Sequence, residues 1–253
     1  MAGASNVVIE SDVDIATADG VMNTYRVRPR QAVPYPAVVM LTDAAGVRTA
    51  LRDIARRIAA AGYVVFVPNL YYRTSRDFVA GPLHNHPDVE KNTAEMTRHR
   101  TAIGYPDVSR DIGALLDHID ADRSVRPGKV GTVGYCMSGA YIVTTAASWP
   151  GRIACGASFY GTRLMADVPQ APWRRLGEIE AELYFAFAEF DSHVPLDQVA
   201  AFKAHLAQAP FKSTVDIVPG TGHGYAFADS VTYNKPAAEQ HFQTVLALFR
   251  RHL

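Results

Sequence analysis

The amino-acid sequence predicts an α/β domain built on a mostly parallel sheet with helices on both faces. Short, continuous apolar runs recur along the chain, as in strands that are covered on both sides. Segments with apolar residues at helical spacing separate these runs, and this alternation is typical of a parallel sheet. No linker, repeat or charge block divides residues 1–253, so we expect a single domain.

Length and composition exclude several classes of protein. The 253 residues are 48% hydrophobic, which is enough to fill a sizeable core. Lys+Arg and Asp+Glu balance at 25 each, so the basic surplus of nucleic-acid and membrane-surface binders is missing. Two cysteines, Cys136 and Cys155, are too few for a disulfide scaffold. No signal peptide or membrane-length apolar run is visible, so we expect a cytoplasmic protein that binds neither nucleic acid nor membrane.

The N-terminal elements follow from alternation and turn residues. Residues 6–15 and 21–28 alternate around Asp19-Gly20 and predict a β-hairpin or two edge strands. The run 37–42 predicts a buried strand. A helix with apolar residues from Leu51 to Ile58 follows and ends at Gly62, and 63–67 is the next buried strand.

The middle of the chain contains an irregular stretch, 70–104, and a segment of this length without periodicity is typical of a lid or a binding loop. Regular alternation returns after it. A helix is predicted at 137–149, and apolar residues at helical spacing mark three more, between 108 and 119, 196 and 206, and 242 and 249. The predicted strands cover 129–134, 153–159, 182–187 and 213–218.

The segment Gly-Tyr-Cys-Met-Ser-Gly at 134–139 lies between a predicted strand and a predicted helix. Small residues at such a sharp turn allow the chain to lift one side chain above the sheet, as in a nucleophile elbow. The raised residue is Cys136, and the helix start beneath it would favour the thiolate. Ser138 replaces the second glycine of the usual pattern. The alternative is a buried structural cysteine in an ordinary strand–helix turn.

Two further residues follow predicted strands. Asp191 comes after the strand at 182–187, where it could equally be a helix N-cap. His223 lies between two glycines after the strand at 213–218, and an isolated loop histidine is often merely solvated. Nucleophile, acid and histidine in this order match the α/β-hydrolases. The order therefore predicts that His223 activates the Cys136 thiol and that Asp191 orients the imidazole.

A fourth loop, after the strand at 37–42, is the candidate source of an oxyanion-hole donor. The backbone N–H of Ala44, together with that of Met137 beside the elbow, is the predicted donor pair.

With these motifs in place, the chain resembles the dienelactone hydrolase family of carboxymethylenebutenolidase-like α/β-hydrolases over roughly residues 20 to 250. The motifs that carry the resemblance lie at 134–139, 190–195 and 222–227, with support from 43–47 and 62–71. The resemblance implies an α/β-hydrolase fold with about eight strands and the catalytic residues Cys136, Asp191 and His223. It implies hydrolysis of a small lactone or ester through an acyl-thiol intermediate, no metal or organic cofactor, and a monomer or small homo-oligomer.

Two positions depart from the family pattern. Asp43 stands where the namesake enzymes have a glutamate that gates ionisation of the thiol. Phe227 stands where they have an arginine for the substrate carboxylate, and this change argues against the same anionic substrate. We therefore assign Asp43, Phe227 and the neighbouring Tyr135 to thiol gating or the substrate pocket. Arg73 or Arg76 could supply the missing cation from another loop.

Two other functions remain open on the sequence. In the first, the protein is a non-catalytic or redox-sensing member of the fold, in which an exposed Cys136 is oxidised but turns nothing over. In the second, His84 and His86, with His99, bind a metal. Because no further ligand stands at diagnostic spacing, we expect no metal site.

Overall fold

The computed structural model describes residues 7–253. Residues 1–6 lie outside that range. Two predictions fall on them: the first position of the hairpin, at residue 6, and the expectation that the chain starts without a signal peptide. The strands are β1 (Val8–Thr17), β2 (Gly20–Pro29), β3 (Ala37–Leu41), β4 (Val64–Pro68), β5 (Val130–Tyr135), β6 (Ile153–Phe159), β7 (Glu182–Phe190) and β8 (Ser213–Gly222). The α-helices are α1 (Thr49–Ala60), α2 (Val89–Thr101), α3 (Tyr105–Ala121), α4 (Ser138–Ser148), α5 (Leu196–Leu206) and α6 (Lys235–His252).

All eight strands belong to one sheet, in the order β1-β2-β4-β3-β5-β6-β7-β8. The hairpin of β1 and β2 is antiparallel, and β2 also runs antiparallel to β4. Every other pairing is parallel. The predicted α/β fold with a mostly parallel sheet of about eight strands is confirmed. Because the strands from β3 to β8 are parallel, their carboxyl ends meet at one edge, where functional loops collect in such sheets.

The core lies on both faces of the sheet. Alternate residues of β3 point to opposite sides, so that Val39 and Leu41 pack on one face and Val38 and Met40 on the other. Helices α3, α4 and α5 cover the first face, and α1 and α6 cover the second. This double cover explains why the parallel strands are apolar throughout rather than alternating.

Two helical segments lie where the sequence analysis predicts none. Helix α2 occupies the C-terminal half of the irregular stretch 70–104, and a short 3₁₀ helix covers Pro172–Glu178. Only His99 of α2 is buried, so the helix lacks the apolar stripe from which periodicity is read.

The last helix begins earlier than the 242–249 that its apolar residues mark. It starts at Lys235, where Asn234 caps it by accepting a hydrogen bond from the Ala237 N–H and proline occupies the first turn.

Within residues 7–253, no helix is both long and apolar enough to cross a bilayer.

Candidate active site

The turn between β5 and α4 places Cys136 in a strained backbone conformation at the carboxyl edge of the sheet. Its φ angle is +52°, in the left-handed region that non-glycine residues rarely adopt. Two backbone hydrogen bonds hold it there: the Cys136 N–H donates to the Phe159 carbonyl at 3.1 Å, and the Thr162 N–H donates to the Cys136 carbonyl at 2.9 Å. The side chain is half-buried and the thiol is free. This is the geometry of a nucleophile elbow.

The small residues around the turn are required by close backbone approaches. A Cβ on Gly139 would lie 2.3 Å from the Gly161 Cα, and one on Gly134 would lie 2.8 Å from the Ser138 carbonyl oxygen. Ser138, at the position where the motif usually has glycine, is buried and donates its hydroxyl to the carbonyl of Thr42. The Ser138 hydroxyl is therefore committed to the backbone.

Asp191 follows the end of β7 and its side chain is completely buried. Its Oδ1 accepts the His193 N–H at 2.8 Å, and its Oδ2 lies 2.7 Å from Nδ1 of His223. Burial opposes the charged carboxylate, but the hydrogen bond and charge of His223 and the His193 N–H together outweigh it and lower the pKa of Asp191. Helix α5 begins later, at Leu196 with Pro195 as its N-cap, so the N-cap alternative for Asp191 is wrong.

His223 follows β8, and its side chain is largely shielded from solvent rather than solvated. Burial disfavours the imidazolium, yet the hydrogen bond to Asp191 and the neighbouring Cys136 side chain together outweigh it and raise the pKa of His223 to about 10. Within the described chain, its Nε2 is buried without a hydrogen-bond partner. The structure therefore brings Cys136, Asp191 and His223 together, with one imidazole nitrogen fixed by the carboxylate and the other uncommitted.

The loop after β3 approaches the elbow from the other side. Across residues 7–253, the backbone N–H groups of Ala44 and Met137 make no hydrogen bond, so both remain available as donors. The fully buried Tyr71 connects the two segments, because its hydroxyl donates to the Ala44 carbonyl at 3.0 Å and lies 3.4 Å from the Met137 sulfur. The sequence analysis did not identify Tyr71 as a site residue. It is one of several aromatic residues in the motif at 62–71, and nothing in the sequence distinguishes it from the others.

The three residues assigned to thiol gating or the substrate pocket lie elsewhere than expected. Asp43 is hydrogen-bonded to Nη1 of Arg48 at 2.7 Å and to the Ala45 N–H at 3.0 Å, rather than to Cys136. Burial raises the pKa of Asp43, with Arg48 opposing the shift. Tyr135 and Phe227 are 0% and 1% exposed, with ring centroids 4.8 Å apart. They pack in the core behind the elbow, so their assignment to the pocket is corrected.

Arg48 is the cation that lies beside Phe227. Its guanidinium carbon is 4.4 Å from the centroid of the Phe227 ring. It is already neutralised by Asp43 and by Asp229, whose Oδ2 is 2.7 Å from Nε. The sequence alone does not identify Arg48 as a site residue, because an arginine five residues after an aspartate in a loop matches no known motif.

Neither arginine suggested as a substitute cation is free. Arg73 forms ion pairs with Asp111 and Asp19, at 2.7 and 2.6 Å. Arg76 pairs with Asp14 at 2.7 Å. Both suggestions are therefore wrong, because these side chains tie the segment after β4 to the hairpin and to α3.

The suggested cluster of three histidines does not assemble. His99 is buried and lies 2.7 Å from the Thr74 hydroxyl, whereas His86 is exposed beside Asp88. Instead, the structure places the exposed His193 against His223, with ring centroids 4.5 Å apart.

The chain is similar to known proteins of one family. The model of the "Dienelactone hydrolase family" matches residues 22–253. A Synechocystis protein named "Putative carboxymethylenebutenolidase" is 26% identical, over 90% of this chain and 91% of that one. A Bradyrhizobium protein named "Probable 2-oxo-3-(5-oxofuran-2-ylidene)propanoate lactonase" is 23% identical, over 99% and 97%.

Solved structures share the fold. A crystal structure described as a "Putative Dienelactone Hydrolase" from Klebsiella pneumoniae superimposes with a TM-score of 0.81 at 22% identity, covering 98% of this chain and all of that one. A dienelactone hydrolase from Anabaena variabilis gives 0.71 at 15% identity, covering 97% and 99%. The family match spans nearly the whole chain, and the protein therefore belongs to the dienelactone hydrolase family.

Proposed function

We propose that this protein hydrolyses a lactone or ester bond of a small molecule, as a carboxymethylenebutenolidase-like enzyme, with Cys136 as its nucleophile. One observation carries the proposal. His223 is held by the buried Asp191 at 2.7 Å while its other nitrogen is buried and uncommitted, next to a thiol in a strained elbow. Such an arrangement is costly to maintain and suits a nucleophile paired with a base.

The first half of the reaction forms an acyl-enzyme. The Cys136 sulfur attacks the acyl carbon, and the carbonyl π electrons move onto oxygen. The N–H groups of Ala44 and Met137 then stabilise the oxyanion. When the oxyanion collapses, the C–O bond to the leaving group breaks and the leaving oxygen takes the proton of the His223 imidazolium. In a lactone, that oxygen remains part of the same acyl chain.

The second half releases the acid. Neutral His223 takes a proton from water as the water oxygen attacks the thioester carbon. Collapse breaks the C–S bond and restores the thiolate beside the imidazolium. Asp191 stays ionised throughout, because it fixes the tautomer and compensates the positive charge rather than accepting a proton. The raised pKa of His223 favours its protonated form, which is the form that donates to the leaving oxygen.

The charge of the substrate follows from the cations around the site. Phe227 stands where the family pattern has an arginine, so that cation is missing here. Arg48 is already neutralised by two carboxylates. Arg100, at the C-terminal end of α2, is half-buried and forms no ion pair within the described residues. Its charge reaches His193, whose pKa is lowered mainly by burial and further by His223 and Arg100. We therefore assign Arg100 as the cation available to an acidic group on the substrate.

The test is hydrolysis of a small panel by the wild type and by Cys136→Ala. The panel holds dienelactone, an uncharged lactone, a p-nitrophenyl ester and an acyl thioester. We expect turnover of at least one lactone or ester, and loss of that turnover in the variant. Turnover that survives in Cys136→Ala would contradict the assignment of the nucleophile. No turnover on any compound, with oxidation of Cys136 by peroxide, would favour the redox-sensing alternative.

The same panel tests the role of Arg100. Arg100→Gln should slow hydrolysis of dienelactone relative to the uncharged lactone, because only the former has a carboxylate to pair. An equal change on both compounds would contradict this role.

A further inference from the structure

Beside the proposed catalytic residues lies a histidine that the reaction does not use. His193 has a side chain that is 64% exposed, and its Nδ1 lies 3.6 Å from Oδ1 of Asp191. Its ring also faces that of His223. Asp191, His193 and His223 each present a ligand atom, and these atoms all lie within 4.8 Å of one another. Among residues 7–253, this is the one group of three or more such side chains close enough to share an ion.

The geometry points to an inhibitory site for a divalent transition-metal ion, of which Zn²⁺ is the representative, formed by Asp191, His193 and His223. Zn²⁺ binds imidazole nitrogen and carboxylate oxygen at about 2.0–2.2 Å, so two tetrahedral ligands stand about 3.3 Å apart. The present separations, from 2.7 Å up to 4.8 Å, bracket that value. Coordination therefore requires the 2.7 Å separation of Asp191 and His223 to lengthen and the longest separations to shorten.

The ligand types select the class of ion. Two imidazoles with one carboxylate suit Zn²⁺, Ni²⁺ or Cu²⁺, whereas Mg²⁺ and Ca²⁺ prefer sites made wholly of oxygen ligands. The Asp191 carboxylate already lies beside both imidazoles, with Oδ2 2.7 Å from Nδ1 of His223 and Oδ1 3.6 Å from Nδ1 of His193. The exposed ring of His193 gives the ion a route in from solvent.

Two features oppose the ion. The hydrogen bond between Asp191 and His223 must break before both side chains can coordinate, and Arg100, which forms no ion pair among residues 7–253, places a positive charge near His193. The site is therefore not expected to retain a resident metal. It would instead bind added ions reversibly and in competition with protons.

Occupation of this site would stop the proposed reaction. The ion takes a lone pair from His223 and an oxygen from Asp191, so the hydrogen bond between them breaks and the base loses its orientation. The effect on rate rests on the proposed function, but binding itself does not, and the two can be measured separately.

The experiment is calorimetric titration of ZnCl₂ into metal-free protein, with MgCl₂ as the ion control. Wild type should bind one Zn²⁺ per chain and no Mg²⁺. Loss of an outer partner of a metal site typically weakens binding by 10- to 100-fold, so loss of a ligand in His193→Asn should weaken it by about 10-fold or more. His205→Asn is the matched control, because this exposed histidine lies on α5 against Trp173. It should leave the Zn²⁺ affinity unchanged.

Two more variants separate the proposal from simple thiol binding. Cys136→Ala should still bind Zn²⁺, whereas Arg100→Gln should bind it more tightly because a repelling charge is gone. Loss of binding in Cys136→Ala together with retention in His193→Asn would place the ion on the thiol and overturn the site. Absence of Zn²⁺ binding in wild type would also overturn it.

Hydrolysis then tests the inhibitory effect. On whichever panel ester turns over, the ratio of rates with and without Zn²⁺ should be lower for wild type than for His193→Asn, and EDTA should restore the wild-type rate. Equal ratios for the two proteins would contradict inhibition through this site. If no ester turns over, the calorimetry still decides binding, so the two proposals fail independently.

Discussion

The elbow at 134–139 and the stretch 70–104 are held in place by different kinds of contact. At the elbow, two backbone segments pack directly against each other. A Cβ on Gly139, for example, would lie only 2.3 Å from the Gly161 Cα. In the stretch 70–104, long side chains connect segments that are far apart in sequence. Arg73, for example, forms ion pairs with Asp19 and Asp111. Close backbone contacts tolerate only small residues, so they produce a motif that can be recognised in the sequence. Ion pairs between side chains can be formed by many residue combinations, so they produce no recognisable motif.

The largest expected effect comes from the elbow region. His223→Gln should lower kcat/KM on a panel ester by about 10³- to 10⁴-fold, because base and nucleophile act as one unit. It should also slow alkylation of Cys136 by iodoacetamide at pH 7, because the thiolate loses its cationic partner. An unchanged alkylation rate would mean that His223 does not activate the thiol.

The same variant carries a stability signature with a defined sign. The folded pKa of His223 is raised to about 10 from 6.5. Its contribution to the free energy of unfolding is therefore complete below about pH 6.5 and lost as pH rises towards 10. The stability difference between wild type and His223→Gln should shrink across that window in urea titrations. A constant difference would contradict the raised pKa.

Gly139→Ala tests the backbone approach at the elbow directly. The new methyl group would collide with the Gly161 Cα and with the Ser158 hydroxyl, so we expect a loss of about 3 kcal/mol in the free energy of unfolding. Gly151→Ala is the matched control, since nothing lies within 4 Å of the Cβ position there. Equal urea midpoints for the two variants would mean that the elbow tolerates a methyl group.

In the other region, the two arginines should differ from each other. Arg73→Gln leaves the Asp111 carboxylate, which is 2% exposed, with only the Tyr72 hydroxyl, and should cost about 2 kcal/mol of stability. Arg76→Gln removes an ion pair whose two side chains are about half exposed, and should leave the free energy of unfolding almost unchanged. Similar losses would contradict the expectation that the buried Arg73–Asp111 pair stabilises this stretch more than the exposed Arg76–Asp14 pair.

A smaller effect on the rate than that of His223→Gln is expected where the two regions meet, at Tyr71. Its ring packs on Phe78 and His99, and its hydroxyl holds the Ala44 carbonyl. Tyr71→Phe should lower kcat about 5- to 10-fold with little change in KM, because one hydrogen bond worth about 1 kcal/mol positions the oxyanion donor. Alkylation of Cys136 should not change. A shift confined to KM would mean that Tyr71 acts on substrate binding instead.

The sequence predicts much of the fold because buried parallel strands are short, wholly apolar and closed by turn residues. It does not predict α2, since that helix buries only His99 and shows no periodic stripe. The start of α6 at Lys235 is also missed, because the Asn234 cap and Pro236 precede the apolar residues by several positions.

For the site, chain order points to Cys136, Asp191 and His223, and the structure gathers them. Pairings of side chains are harder to predict. Nothing in the sequence shows that Asp43 accepts a hydrogen bond from Arg48, because this pairing depends on the conformation of the loop. His193 likewise reveals its position only once the loop after β7 is folded against His223.

The central claim is that Cys136 carries the acyl group, and its most direct test is the intact mass of the protein quenched in acid during turnover of a p-nitrophenyl ester. Wild type and Cys155→Ala should both gain the mass of one acyl group, because Cys155 is buried in β6 with its pKa raised to about 12. Cys136→Ala should gain none. An acyl adduct on Cys136→Ala, or its loss in Cys155→Ala with folding intact, would contradict the account.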